Sequence, residues 1–346
     1  MNGTVVVSNI LYDPFGPVRQ WAWGDGPLAV RTFDQDGNVA QIDSAGLKTY
    51  SYDDAFRITG INDTTNSALS WTYSYDDLDR LISASKTGTA LGYTYDANGN
   101  RLTETGSNPS TFTIAANSNR LSSTSGALSR TYGYDDAGNT TSFTGGSFTN
   151  NRGRMSSSTK SGVTTTYTYN ALGQLIKKGA STLYYYDEAG HILGIYDGSG
   201  VLIEEIVWLG DTPVATLRPK TGGGVSIYNI HADHLNTPRV VTDAASAIVR
   251  WRWDGEPFGG GVVMDDPAGA GVFEFNLRFP GQVAIMETGL NYNYYRDGYD
   301  PATGRYTQSD PIGLGGGLNT YAYVSGNPIS SIDALGLFAC TGKWRR

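Results

Sequence analysis

The chain is short of cysteine, histidine, methionine and charge, and each shortage excludes something. A single cysteine, Cys340, among 346 residues rules out an intramolecular disulfide. The fold must hold by packing and backbone hydrogen bonds, and Cys340, near the C-terminus, reads as an exposed thiol. There are only three histidines. His231, Asp233 and His234 are metal ligands by type, but the third histidine, His191, lies in a distant turn, which argues against a zinc site. The run Asp34-Gln35-Asp36-Gly37-Asn38 has its glycine misplaced for a calcium loop, and no bidentate Glu follows at the right distance. No phosphate-binding loop, nucleophile elbow or dinucleotide fingerprint occurs. No cofactor and no metal are expected.

Charged residues make up 17% of the chain, and the net charge is −8. Wrapping nucleic acid needs a basic face. The one basic cluster, Lys343, Arg345 and Arg346, reads as a solvated tail. No run approaches the ~18 apolar residues of a membrane helix. The start, MNGTVVVSNI, lacks the basic and apolar regions of a secretory signal. Beginning abruptly inside a patterned region fits a fragment, and export would need another route.

Glycine (45 residues) and tyrosine (23 residues) are abundant, which favours strands joined by tight turns. The sequence repeats itself. An aromatic residue followed by Asp or Asn and a turn recurs, as in Tyr52-Asp53, Tyr75-Asp76, Tyr95-Asp96, Tyr134-Asp135, Tyr169-Asn170 and Tyr186-Asp187. The aromatic positions 12, 33, 52, 75 and 95 are spaced by 21, 19, 23 and 20 residues. Each unit reads as a β-hairpin. The strand is rich in β-formers, Asp opens a turn by bonding downstream N–H groups, and a Gly near its end supplies positive φ. One hairpin is marginal alone, so the units must stack into a continuous sheet. The fold class expected is all-β. Ser107 to Lys160 reads as degenerate repeats rather than a linker. The Lys220–Gly224 loop is the best candidate boundary, dividing a repeat region (1–224) from a C-terminal part (225–337) and a short tail (338–346).

The C-terminal part holds Asp310 and Asp333, each followed by a Gly-containing turn, with strand-like Thr320–Val324 between them. A carboxyl pair hydrolyses a peptide when one ionised Asp activates water and one protonated Asp donates to the carbonyl. On spacing alone, both are equally turn-opening aspartates like the others in the chain.

The Tyr-Asp repeat resembles the YD repeat of Rhs proteins, teneurins and the C components of insecticidal toxin complexes. The C-terminal part strengthens the likeness. Ile230 to Asp243 resembles the HxDHLGTP segment of the Rhs-associated core, with Asn236 where Gly is usual. Trp253-Asp254-Gly255-Glu256-Pro257-Phe258-Gly259, Leu277–Gln282, Tyr292–Arg296 and Tyr299–Tyr306 follow in the family's order. The resemblance covers residues 12 to 337. It implies a spiralling, hollow β-shell plugged at one end by the core segment, with His231, Asp233 and His234 in a hydrogen-bonded structural turn. It also implies an aspartic autoprotease that cuts after a final DPxGL-type motif, here Asp333-Ala334-Leu335-Gly336-Leu337, with Ala334 in place of Pro.

On that reading Asp310 and Asp333 are catalytic, and the cut falls between Leu337 and Phe338. Arg305 assists, by pairing a carboxylate or stabilising the oxyanion. The bond is apolar on both sides. Holding it in cis raises its effective concentration enough for a single-turnover cut. The implied partners are the chain's own C-terminal segment as cargo, N-terminal shell or secretion-system components, and a carbohydrate or cell-surface ligand. The implied location is secreted or cell-surface. Two alternatives stay open: a non-catalytic adhesion scaffold, and a remnant whose toxin is lost.

Overall fold

The computed structural model describes residues 3–14 and 16–341. Phe15 of the first Tyr-Asp turn and the basic residues Lys343, Arg345 and Arg346 lie outside them. Twenty-six strands, from Val7–Tyr12 to Val263–Met264, form one sheet in which each strand pairs antiparallel with the next.

The repeat at Tyr95 shows why. The Asp96 carboxylate accepts the N–H groups of Asn98 and Asn100 at 2.9 and 2.8 Å, and the Gly99 N–H returns to the Asp96 carbonyl at 3.1 Å. Gly99, three residues after the Asp, has φ of 79°, where a Cβ is disfavoured. The other carboxylate oxygen takes the Asn100 side chain at 2.9 Å. The tyrosine is used for stacking. The Tyr95 hydroxyl donates to the Leu81 carbonyl of the preceding hairpin at 2.9 Å, and Arg80 lies 4.9 Å from the Tyr95 ring centroid. Equivalent hydroxyl bonds join Tyr75 to Ile58, Tyr134 to Leu121, Tyr169 to Met155 and Tyr186 to Leu175. The units at Tyr75, Tyr95, Tyr134 and Tyr169 are thus tied to their predecessors by a ladder, a hydroxyl and a cation over a ring, and the unit at Tyr186 by the ladder and the hydroxyl.

The Ser- and Thr-rich segment from residue 107 to 160 is built of strands, among them Ser110–Ile114, Leu121–Gly126 and Arg154–Lys160. The sheet also continues across the Gly222–Gly224 loop, because Thr212–Pro219 pairs directly with Val225–Ala232. It ends at Met264.

Beyond Met264 the chain turns inward. Phe275 packs on Trp251 with ring centroids 5.2 Å apart, and Phe279 on Trp253 at 5.6 Å. A second, four-stranded sheet follows: Gln282–Ile285, Leu290–Asn293, Arg296–Asp300 and Arg305–Tyr306. Every one of its residues is buried. One hydrophobic cluster joins wall residues such as Tyr167, Ile230 and Trp251 to Leu290, Tyr299 and Tyr323 of the inner part. The inner segment is therefore core, not an appendage. Among the described residues no helix is long and apolar enough to cross a membrane.

His191 ties two turns together. Nδ1 meets Asp187 at 2.9 Å, Nε2 meets Asp211 at 3.2 Å, and the ring stacks on Trp208 at 4.4 Å. Burial works to lower its pKa, but bonds and charge from Asp211 and Asp187 outweigh that and raise it. Both carboxylates are held below their usual range. The stabilisation from the raised histidine is full below its unfolded pKa and is lost as pH rises through the folded value. The stabilisation from the two aspartates is lost as pH falls below theirs. The melting temperature of His191→Gln should therefore fall furthest below wild type in mildly acidic buffer, with the gap closing on either side. A gap independent of pH would show that the histidine acts only by packing.

Candidate functional site

Asp310 and Asp333 both open turns of the repeat type. The Asp310 carbonyl accepts the Gly313 N–H at 2.9 Å, and its Oδ1 accepts the Ile312 N–H at 3.0 Å. Asp333 Oδ1 accepts the Leu337 N–H at 2.9 Å, and Gly336 stands three residues on with φ of 75°. They differ from most repeat turns in the fifth residue. In six repeat turns that residue is polar and its side chain occupies the second carboxylate oxygen, as Asn38, Arg57, Arg80, Asn100, Asn139 and His191 do; the Asp197 turn, with Val201 there, does not. At Asp310 and Asp333 it is leucine, Leu314 and Leu337. Each carboxylate keeps an oxygen for partners from elsewhere in the fold.

For Asp310 the partner is Arg296, whose Nη2 is bonded to Asp310 Oδ2. Both side chains are buried. For Asp333 it is Tyr306, whose hydroxyl donates to Oδ2 at 2.8 Å. Arg296 also lies over the Tyr306 ring, 4.0 Å from its centroid, so one guanidinium stands beside both halves of the site. Burial pushes both carboxyl groups above their ordinary pKa. Arg296 opposes this for Asp310, as do the Tyr306 hydroxyl, Arg296 and the loop N–H groups for Asp333. Nε and Nη1 of Arg296 are buried donors without an acceptor.

The two aspartates meet at the peptide between Leu337 and Phe338. The Phe338 N–H points to Asp333 Oδ1 at 3.3 Å. On the other side, the Leu337 carbonyl oxygen and Asp310 Oδ2 converge on Gly316, where the oxygen lies 2.6 Å from the position a Cβ would take.

The loop carrying the bond is clamped at its ends and along its length. Ser331–Ile332 pairs with Cys340–Thr341 and closes residues 333–339 into a loop. Asn293 holds the Asp333 carbonyl at 2.8 Å, and the Tyr295 N–H holds the Leu335 carbonyl at 3.0 Å. None of these contacts requires a proline ring at position 334. Leu337 is half-buried and Phe338 is exposed.

The structure does not bring Arg305 to either aspartate. Its guanidinium is bonded to the Asn119 carbonyl and lies 5.1 Å from the Tyr321 ring centroid. Arg296, Tyr306 and Gly316 are the contributors that motif reading passed over. An apolar fifth residue is a sequence feature of both turns, shared with the Asp197 turn at Val201. The histidine segment forms a turn of its own. Asp233 accepts the N–H groups of Leu235 and Thr237 and pairs with Arg239. His234 meets the Ile329 carbonyl at 2.8 Å. His231 lies between Ser44 and Thr242, and burial pushes its pKa down to about 4.

Comparison with known proteins places this arrangement in context. The chain is 38% identical over 125 residues to double-stranded DNA deaminase toxin A of Burkholderia cenocepacia, covering 36% of this chain and 8% of the relative. It is 40% identical over 116 residues to toxin protein Tse5 of Pseudomonas aeruginosa, covering 33% of this chain and 8% of the relative. It thus spans less than a tenth of the length of either relative. Among solved structures, the Tc holotoxin pore of Photorhabdus luminescens superposes with a TM-score of 0.77 at 18% identity, over 98% of this chain and 19% of the other, a likeness of fold. The model of the teneurin YD-shell matches residues 48–314. With most of the chain inside that match, the protein belongs to the teneurin YD-shell family, as a Rhs/YD-repeat shell protein.

Proposed function

We propose that this chain is the end of a shell that encloses a polypeptide continuing from its C-terminus, and that it frees that polypeptide by cutting itself once between Leu337 and Phe338. The observation that carries the reading is the convergence of Asp310 and Asp333 on opposite sides of one peptide. Toxin relatives support a toxin as the cargo, and their kind supports action outside the producing cell.

Asp333, at the departing nitrogen, has its oxygens saturated by donors, which suits the ionised form. It takes a proton from the attacking water and passes it to Phe338 N as the C–N bond breaks. Asp310, raised by burial and placed at the carbonyl side, supplies the proton to the Leu337 oxygen and takes one back from the diol as the C–N bond breaks, leaving a carboxylic acid that then ionises. Arg296 adds positive charge where the oxyanion develops. The products are a Leu337 carboxylate and a Phe338 amine. Cutting needs one proton on the pair, so its rate is expected to peak on the acid side and fall as the retained proton is lost.

The test is the intact mass of freshly made full chain beside its Asp310→Asn variant. Loss of residues 338–346 from wild type alone is the expected result. Full-length mass in both would leave a scaffold without autoproteolysis.

Gly316 gives a second, steric test. Its φ is outside the left-handed range. A Cβ there costs space only, and that space belongs to the Leu337 carbonyl and the Asp310 carboxylate. Gly316→Val should leave the fold intact and slow cutting ~100-fold or more, because a displaced carbonyl loses its in-line geometry. Wild-type cutting by Gly316→Val would show that the loop does not press on the bond.

A further inference from the structure

Between the sheet wall and the inner segment lies a cavity of about 440 Å³, within the size range of small-molecule sites. The repeats do not explain its charge. Arg31 and Arg278 both line it, and each is only 8% exposed. Among the described residues neither is ion-paired to a carboxylate. Arg278 Nη1 reaches only the main-chain carbonyls of Phe275 and Leu277, at 3.0 and 2.9 Å. Arg31 Nη2 reaches the Asp233 carbonyl at 3.3 Å and the Asn236 side-chain oxygen at 3.0 Å.

The carboxylate of Asp233, the acid nearest Arg31, is already held by Arg239 at 2.8 Å and by two N–H groups. Of the other charged groups on the cavity wall, His191 and Asp211 are bonded to each other. The buried donors Arg31 Nε and Gln282 Nε2 also have no acceptor. Gln282, on the cavity wall and 1% exposed, spends its oxygen on the Asn291 amide at 2.9 Å. Both guanidiniums have neutral acceptors and lie over tryptophan rings, Arg31 over Trp21 and Arg278 over Trp251 and Trp253. But two buried positive charges with no carboxylate partner, beside the unpaired Arg31 Nε and Gln282 Nε2, favour an anion that can reach them. The rest of the wall is largely apolar, with the rings of Tyr186, Trp208, Phe279 and Tyr292 and, from the segment around the Leu337–Phe338 bond, Ala334 and Leu335.

We propose that this cavity binds a carboxylate carried on an aromatic or aliphatic body. The guanidiniums of Arg31 and Arg278 and the Gln282 amide would hold the carboxylate, and the rings would cover the body. Planar guanidinium forks suit carboxylate geometry, and the apolar wall disfavours a bare, strongly hydrated anion. The group could belong to a free small acid or to an acidic side chain of an enclosed polypeptide. Binding here is separable from cleavage by mutation, because none of these three residues touches Asp310 or Asp333.

The test is a titration of the full chain with phenylacetate, read by Trp208 fluorescence and by calorimetry. Acetyl-Phe-Glu-amide, sulfate and phenethylamine serve as companions. Saturable phenylacetate binding is expected below about 10 mM, with sulfate at least ~10-fold weaker and phenethylamine silent. Tighter binding of the dipeptide assigns the site to a polypeptide, and tighter binding of phenylacetate assigns it to a free acid. Arg278→Met should weaken binding ~10-fold or more.

Gln282→Glu guards against simple misfolding. It keeps the acceptor for Asn291 and places a carboxylate beside the arginines, so it should raise the melting temperature while abolishing phenylacetate binding. No saturation with any probe, equal binding of phenethylamine or sulfate, or wild-type affinity in Gln282→Glu would each overturn the proposal.

Discussion

Asp333→Asn is expected to yield a single uncut chain with an unchanged fold. The amide keeps the size of the carboxylate, and its oxygen can still accept the Leu337 and Phe338 N–H groups that Asp333 Oδ1 accepts now. The Tyr306 hydroxyl, now a donor to Oδ2, can turn to accept instead. Only proton transfer is lost. General acid–base catalysis contributes ~10²–10⁴-fold, so a cut complete within minutes would stretch to between hours and weeks.

The stability change has a definite sign. The folded pKa of Asp333 is raised, so the folded state binds its proton more tightly than the unfolded chain and is weakened as pH rises through the shifted value. Asn removes that penalty. In an uncut Asp310→Asn background, Asp333→Asn should therefore melt no lower than its parent at neutral pH, with the gap shrinking toward acid. Cutting by Asp333→Asn at the wild-type rate would remove Asp333 from the chemistry.

The second large effect separates two buried arginines. Arg296→Gln takes the positive partner from Asp310 and the cation from beside the bond. Losing one oxyanion-stabilising group costs ~10²–10³-fold in rate, and breaking a buried pair costs about 3–5 kcal/mol. Arg305→Gln should lose stability as well, by about 1–3 kcal/mol, because the buried side chain loses its bond to the Asn119 carbonyl. It should nevertheless cut normally, since Arg305 touches neither carboxylate. Cell-free synthesis followed by intact mass at intervals gives the rates, and urea midpoints give the stabilities. Normal cutting by folded Arg296→Gln, with cutting lost in folded Arg305→Gln, would reverse the assignment.

Arg305 also shows where motif reading stops. It stands five residues before Asp310 in a matched motif, and proximity in sequence suggested a partner. Its short strand pairs with Asp300, and an isolated bridge leads from Arg305 to Ala322, which turns the guanidinium toward the wall at Asn119. Arg296, fourteen residues before Asp310, reaches it because two antiparallel strands bring the positions together. The repeat turns, by contrast, were legible in full. The Asp carboxylate, the N–H groups it accepts and the positive-φ residue lie within five consecutive positions.

Opening a turn does not exclude either aspartate from the proposed chemistry, because the turn leaves each one an oxygen for partners elsewhere in the fold. A turn uses one carboxylate oxygen, and leucine at the fifth position leaves the other unclaimed.

The sequence by itself determined the hairpin unit, the all-β class and the stacking of units. These depend on contacts within one repeat or between adjacent ones, and each repeat states them again. Only the tertiary structure decided which arginine meets Asp310, that Tyr306 holds Asp333, that a side chain at Gly316 would meet the Leu337 carbonyl, and that Arg31 and Arg278 line one cavity. Those pairs join segments far apart along the chain. Their geometry is set by how the inner sheet packs against the wall, and no local spacing encodes that.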